Sequence, residues 1–230
     1  MGTLYTEILS RPLFNAVIFI YNILPWNDFG LAIIILTTLI RILFFPLSIK
    51  TVRSQKAMNL LSPKLQEIKQ KFKDDKSAQS VETMKLYKEN NINPLAGCLP
   101  LLIQLPILIG LYSAFIAGLK PESLNMLYGF ISNPGVINKI SFGFIDTTSK
   151  MPLLAVFAGA TQFIQARMTK SQNQSLSVNK EMAALNSQML YFFPIMIIVI
   201  GWNLPAGLIL YWITTTVFSI LEQLYIKYRG

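Results

Sequence analysis

The chain has 230 residues, 53% of them hydrophobic and 13% charged, with 20 Lys and Arg against 11 Asp and Glu; that balance belongs to a membrane protein rather than a soluble domain. There is no histidine and a single cysteine, Cys98, which excludes a histidine-based metal site, a Ser-His-Asp triad and a disulfide framework. A net charge of +9 would point to nucleic acid in a soluble protein, but in a membrane protein the positive-inside rule competes, and the distribution of charge decides.

Residues 1–28 are read as an N-terminal extracytoplasmic, interfacial segment. Met1 to Thr6 fits the myristoylation pattern, which many unmodified chains also fit. Pro12 and Pro25 enclose a 12-residue apolar run, LFNAVIFIYNIL. As a helix it reaches about 18 Å, short of a hydrocarbon core of about 30 Å, so it is expected to lie in the membrane plane. Tyr21 and Trp26 are the belt residues expected at that depth, and Asn27-Asp28 is placed to cap the next helix. A proline at each end of the run and the lack of a basic leader speak against a cleavable signal peptide.

Phe29–Leu47, FGLAIIILTTLIRILFFPL, is the first span, residues 29–47. It carries one arginine, Arg41, which costs about 2.5–3.5 kcal/mol at helix centre. Thr38 and Thr37, at i−3 and i−4, share its face. Residues 48–94 form the long polar region, with ten Lys or Arg against five acids from Ser48 to Asn93. Met58, Leu61, Leu65, Ile68 and Phe72 recur at 3-4-3-4 spacing, a coiled-coil seam. Ser62-Pro63 reads as a helix start, Lys73-Asp74-Asp75-Lys76 as a break, and Val81, Met84 and Tyr87 as the apolar stripe of a return helix. The expectation is an antiparallel helical hairpin standing off the bilayer.

Residues 95–118 are the second span, interrupted by Pro100 and Pro106 with Gln104 between them. Its Leu95-Ala96-Gly97-Cys98 matches a lipoprotein cleavage box but lies too far from the N-terminus to act as one. Residues 119–150 are an extracytoplasmic loop. Residues 151–168 are the third span, with Thr161, Gln162 and Gln165 near its end, and 169–185 a polar cytoplasmic loop. Residues 186–202 are a short fourth span; Asn203-Leu204-Pro205 turns it into the fifth, 206–226, and 227–230 is a short cytoplasmic tail. The hairpin, the Arg167–Gln188 linker and the tail hold fifteen of the twenty cations, the opposite side four, and Arg41 is the twentieth. Five spans then put the N-terminus outside and the C-terminus in the cytoplasm. The positive charge is a cytoplasmic-face signature, and no direct DNA binding is implied.

Every acid falls outside the spans or at an edge, Asp28 at an outer one and Glu222 at an inner one. Arg41 is therefore expected to lack a carboxylate partner in its own chain. It must snorkel, meet water and amide acceptors in a cavity, or await a group from another molecule. Gln104, Thr161, Gln162, Gln165, Tyr211, Thr214, Thr215 and Thr216 offer hydrogen-bonding groups at span depth. Singly they are interhelical glue; with an unpaired arginine they compose a wet groove. Without mid-depth Asp or Glu, a proton relay is disfavoured, and a positive site in a low-dielectric wall attracts anions.

These features resemble the YidC/Oxa family of membrane-protein insertases, over nearly the whole chain from Pro12 to Tyr228. The most specific stretches are TTLIRILFFPLSIKTVRSQKAM (37–58), LSPKLQEIKQKF (61–72), NPLAGCLPLLIQLPILIGLY (93–112) and NLPAGLILYWITT (203–215). The resemblance implies an all-α polytopic membrane protein. Five transmembrane helices would surround a hydrophilic groove open to cytoplasm and lipid, with a cytoplasmic antiparallel hairpin and an N-terminal interfacial helix. It implies a substrate-binding groove at Arg41 and Thr37, with Trp212 and Tyr211 in the last span and Gln162 or Gln165 in the third; Gln104 adds a second-span amide. The implied activity is non-enzymatic insertion and folding assistance, without cofactor or metal, in a bacterial plasma (inner) membrane. Implied partners are nascent membrane proteins and the lipid bilayer, with the ribosome, the signal-recognition receptor and the Sec translocon as candidates at the hairpin, and a monomer is expected. Against the family pattern, this sequence shows no large extracytoplasmic domain, no extra anchor span, no lipoprotein-type start and no long basic tail. Two other classes compete. One is a small transporter, disfavoured by an odd span number and no evident inverted repeat; the other is a hairpin whose spans serve as mere anchors.

Overall fold

The computed structural model describes residues 5–93, 104, 106–113, 121–172 and 180–229. The described chain is mostly helical. A π-helical turn, Thr6–Ser10, leads into α1, Arg11–Ile23. Then come α2, Phe29–Leu60, the hairpin pair α3, Ser62–Lys71, and α4, Lys76–Glu89, and helical residues 106–113. A 3-10 turn, Pro121–Met126, and two short strands, β1, Ile140–Ser141, and β2, Ile145–Asp146, precede α5, Pro152–Gln172, α6, Lys180–Gly201, and α7, Ala206–Arg229. The expected second span, 95–118, lies largely outside the described residues.

By length and composition, α2 and α7 carry segments able to cross a bilayer, Phe29–Met58 and Ala206–Ile226, while Leu190–Gly201 of α6 is a shorter apolar stretch. At 21 residues α5 is long enough, and its Gln162, Gln165 and Arg167 dilute its hydropathy. With 32 residues α2 runs about 48 Å, well past Leu47 and straight through Pro46. Pro46 withholds one amide from the ladder, a loss that a membrane helix accommodates.

Small residues set the packing of α5, α6 and α7. Ala155 and Ala158 of α5 are buried with Ile197 of α6 and Ile209 of α7. At Gly159 an added Cβ would fall within the Ile198 side chain and 3.0 Å from the Pro194 carbonyl, and at Gly201 it would meet Ala155 Cβ at 3.0 Å. Close backbone approach is what holds helices together where lipid removes the hydrophobic drive. α7 packs on α2 as well, so the bundle is ordered α6, α5, α7, α2, α1.

α1 closes one end. Its Phe14, Val17, Ile18 and Tyr21 are buried against Phe29, Ala32, Ile33 and Leu36 of α2. Trp26 is exposed, as a belt residue should be, but Tyr21 is 2% exposed, so that expectation is corrected for it. Its phenol oxygen accepts the Asn138 amide at 2.8 Å, because the loop folds over α1 and takes it out of any interface. Asn15, also buried, donates to the Met126 carbonyl at 3.0 Å and accepts from the Tyr128 amide at 2.7 Å. Arg11 donates to the same Met126 carbonyl, pairs with Glu7 at 2.9 Å and lies over the Tyr128 ring.

Within the 119–150 loop the chain forms a short pair of strands. β1 and β2 pair antiparallel with Ile140 opposite Asp146. They turn through Phe142 and Gly143, both at positive φ, with the Phe144 amide bonded to the Ser141 carbonyl, the pattern of a type I′ turn. Strands of two residues leave no alternation for a sequence to display, and Phe at the first turn position hides the usual Asn-Gly signature. Asp28 anchors this hairpin: it caps α2 by accepting the Leu31 amide at 2.9 Å, and accepts the Phe142 amide at 2.8 Å and the Ser141 hydroxyl. The Thr147 and Ser149 carbonyls take the Gly207 and Ala206 amides, satisfying free donors at the start of α7.

At the other end, Leu61, Leu65 and Leu86 form the buried core of the α3–α4 pair, with Ile68, Tyr87 and Ile92 around it. Contact between the start of α3 and the end of α4 makes the pair antiparallel. Asp75 caps α4 through the Ala78 amide. The expected stripe of Val81, Met84 and Tyr87 is corrected: Val81 and Met84 are exposed, and Leu86 turns inward. At about 100° per residue Leu86 lies some 160° from Met84 and 140° from Val81, so one helix face cannot bury all three. The start of α3 is a further small correction: Leu61 occupies the cap position without a side-chain bond, and Ser62 is the first helical residue.

Candidate functional site: a polar cavity around Arg41

Two polar stripes face each other across α2 and α7. On α2 they are Thr37, Arg41, Ser48 and Thr51, and on α7 Tyr211, Thr215, Ser219 and Glu222, set at steps of three, four or seven residues that keep one helical face. Arg41 is half-buried. Its Nη2 donates to Gln104 Oε1 at 3.1 Å, and Gln104 Nε2 donates onward to the Tyr211 hydroxyl. One neutral amide thus links the arginine to the phenol of α7.

On one side of this link is a cavity of about 260 Å³, lined in part by Arg41, Gln104, Gln162, Gln165, Trp212 and Ser219. That is room for several waters. A smaller hollow of about 60 Å³ lies on the other side, between Thr37, Arg41, Phe44, Ser48 and Tyr211. Across the larger cavity α5 and α7 present a second network. Gln162 Nε2 donates to Gln165 Oε1 at 2.9 Å, while Gln162 Oε1 is approached by Trp212 Nε1 and by the Thr216 hydroxyl, each at 3.4 Å. Both α5 amides therefore border the cavity, where the sequence left either one open.

Thr37 lies beside Arg41 but is 2% exposed, and its hydroxyl donates to the Ile33 carbonyl at 2.6 Å. Thr38 does the same to Ile34, Thr161 to Ala158 and Thr214 to Leu210. Those hydroxyls satisfy their own helices and are not free donors for a ligand.

Of the three ways to satisfy Arg41, the structure shows an amide acceptor, Gln104, beside a cavity. Glu222, four residues before the end of the Ala206–Ile226 segment, is 6% exposed, faces Ser48, and lies within electrostatic reach of Arg41. The reason is that α2 continues past Leu47 and covers it, with Phe45 and Tyr225 in ring contact at 5.7 Å beside it. Still, among the described residues the ion pairs within 4 Å are Arg11–Glu7 and Lys85–Glu82, so Arg41 has no direct one. The sequence signal for Glu222 was its place three residues beyond Ser219 and eleven beyond Tyr211 on one face of α7. No group of three or more His, Cys, Asp or Glu able to hold a metal occurs among the described residues.

Above the polar link, toward the loop end, lies an apolar wall. Phe14, Val17, Phe29, Ile33, Leu111 and Tyr211 pack together there, around a residual void of about 20 Å³. The cavity is thus bounded by α1 at one end and faces the hairpin at the other.

Comparison with known proteins agrees over most of the length. Residues 19–230 match the model of a family described as 60Kd inner membrane protein. The chain is 36% identical over 204 residues to the membrane protein insertase YidC of Fusobacterium nucleatum, covering 89% of this chain and 88% of that one. It is 40% identical over 210 residues to the insertase MisCA of Bacillus subtilis, covering 89% and 72%. With YidC of a Geobacter species it shares 34% over 221 residues, 95% of this chain but 37% of the longer relative. Carrying the family's sequence from Phe19 to the last residue, this chain belongs to the YidC/Oxa family of membrane protein insertases.

Proposed function

We propose that the protein inserts client membrane proteins into a bacterial plasma membrane, and assists their folding, by lending them a positively charged hydrophilic groove. The observation that carries this reading is Arg41 beside a cavity of about 260 Å³, bonded to a neutral amide and without an ion pair within 4 Å among the described residues. A formal charge so arranged in apolar surroundings gains most from an incoming anion. An acidic or polar segment of a nascent chain enters from the hairpin end and is held at Arg41. The apolar wall of Phe14, Phe29 and Tyr211 bars the far side, so hydrocarbon remains to be crossed over only part of its thickness. The hydrophobic segment then leaves sideways into lipid along α5 and α7. No covalent step is involved.

In this reading five spans cross the membrane, the loop end is extracytoplasmic and the α3–α4 hairpin is cytoplasmic, with the N-terminus outside and the C-terminus inside. The groove residues are Arg41, Thr37, Gln104, Gln162, Gln165, Tyr211 and Trp212; Thr37 shapes the wall rather than donating to a client. The hairpin receives clients or docks the ribosome, the signal-recognition receptor or the Sec translocon, and the chain acts as a monomer.

Site-directed crosslinking of a stalled nascent membrane protein to positions 41, 162, 165 and 212 tests this. Crosslinks are expected from all four to the client's translocated segment or the flank of its first span. Solute flux in liposomes, with no crosslinks and no effect on client topology, would instead identify a transporter. Loss of function on deleting the hairpin, with Arg41→Ala harmless, would reduce the spans to an anchor.

A further inference from the structure

We infer that Glu222 is the groove's own anionic competitor: it weakens the hold of Arg41 on an acidic client and so lets the client go. The inference rests on the groove reading above. Glu222 is buried on α7, with Ser48 of α2 facing its carboxylate, while its Oε1 accepts no hydrogen bond among the described residues. A buried carboxylate left part-satisfied is costly.

Its place is specific. α2 and α7 both start at the loop end, where Asp28 and the Thr147 and Ser149 carbonyls hold them, and both run toward the hairpin end. Ser48 stands seven residues beyond Arg41, about 10 Å along the axis. Glu222, beside Ser48, therefore sits on the entry side of Arg41. It is near enough to act on the arginine's charge but forms no ion pair with it within 4 Å among the described residues. A direct pair would neutralise the groove and a distant acid would do nothing. At this intermediate separation the carboxylate lowers the positive potential that an anion meets at Arg41 and leaves the guanidinium's site open. An insertase needs that compromise, because a client acid held by an uncompensated buried arginine would not leave.

Glu222 therefore acts through Arg41, as a tuning residue and not as a client contact. The test uses a photo-crosslinking residue at Leu108, which lines the cavity without a polar group. Two stalled clients are compared that differ only in carrying acidic or neutral residues in the translocated tail. The readout is the ratio of acidic to neutral capture. In Glu222→Gln, a near-isosteric change whose folding is checked by limited proteolysis, the ratio is expected to rise about 5- to 30-fold. Glu222→Asp, which keeps the charge, is expected to hold it near the unmodified value, and in Arg41→Gln the effect of Glu222→Gln is expected to vanish. An unchanged ratio in Glu222→Gln, with Arg41→Gln lowering it, overturns this inference and leaves the groove standing. A fall in Glu222→Gln also overturns it, since the carboxylate would then be steadying Arg41 for the client. An unchanged ratio in Arg41→Gln removes the groove reading and this inference together.

Discussion

Arg41 makes one side-chain hydrogen bond among the described residues, end-on to Gln104. A monodentate contact asks for charge more than for the planar fork of a guanidinium. Arg41→Ala is accordingly expected to cut insertion of clients with acidic translocated tails by roughly tenfold or more, and Arg41→Lys to keep part of the activity, both read by protease protection of the tail. Equal loss in the two would make guanidinium geometry the requirement. Asp28 gives a pH prediction at the opposite end. Burial pushes its carboxyl up, but hydrogen bonds from the Ser141 hydroxyl and from the Leu31, Phe142 and Gly30 amides outweigh this and hold it below the usual value. Asp146 is lowered likewise, by the Thr148 hydroxyl and amide. For a carboxyl lowered on folding, the stabilisation is complete above the unfolded pKa, about 3.9. It fades as pH falls through the lower folded value. Amide exchange across β1 and β2, corrected for intrinsic rates, should accelerate as pH drops below about 4, and Asp28→Asn should show faster exchange already at neutral pH. Arg41 was legible because it is the one charged residue in the nineteen-residue stretch Phe29–Leu47. Glu222 was not, since its burial depends on α2 outrunning its own apolar stretch, a length that hydropathy does not record.

At the level of helices, the tightest joint is between α5 and α6. Gly159→Val would drive methyls into Ile198 and toward the Pro194 carbonyl. Overpacking of this kind costs about 1–3 kcal/mol, and a lower midpoint of thermal unfolding in detergent is expected, with Gly159→Ala milder. The hairpin makes the opposite case. Its core is three buried leucines, so Leu65→Ala, a loss of about 2–5 kcal/mol in a well-packed site, should melt α3 and α4 while α5, α6 and α7 persist. Exchange protection lost across 62–89 and kept in the spans would show this. The break at Lys73–Lys76 and the helix restart near Ser62 could be read from turn and cap chemistry alone. The inward face of α4 could not: both Val81 with Met84 and Leu86 satisfy helical spacing, and the choice is made by Leu61 and Leu65 on the facing helix.

For the molecule as a whole, membership of the insertase family was legible because four separated stretches keep their order and spacing. The tertiary ties at the loop end were not: Asn15, Tyr21, Asp28 and the Thr147 carbonyl bridge residues far apart in sequence, and polar atoms in a loop carry no periodic mark. These ties make the two ends of the bundle unlike. One end is strapped by loop-to-helix hydrogen bonds, and the other carries a hairpin with a core of three leucines.

The wall of Phe14, Val17, Phe29, Ile33, Leu111 and Tyr211 carries a bioenergetic corollary. Among the described residues the polar cavity gives way at Tyr211 to this apolar plug, which the α1 and α2 side chains build. On the insertion function proposed above, such a plug would let the groove be wetted from one side while the proton gradient across the membrane is kept.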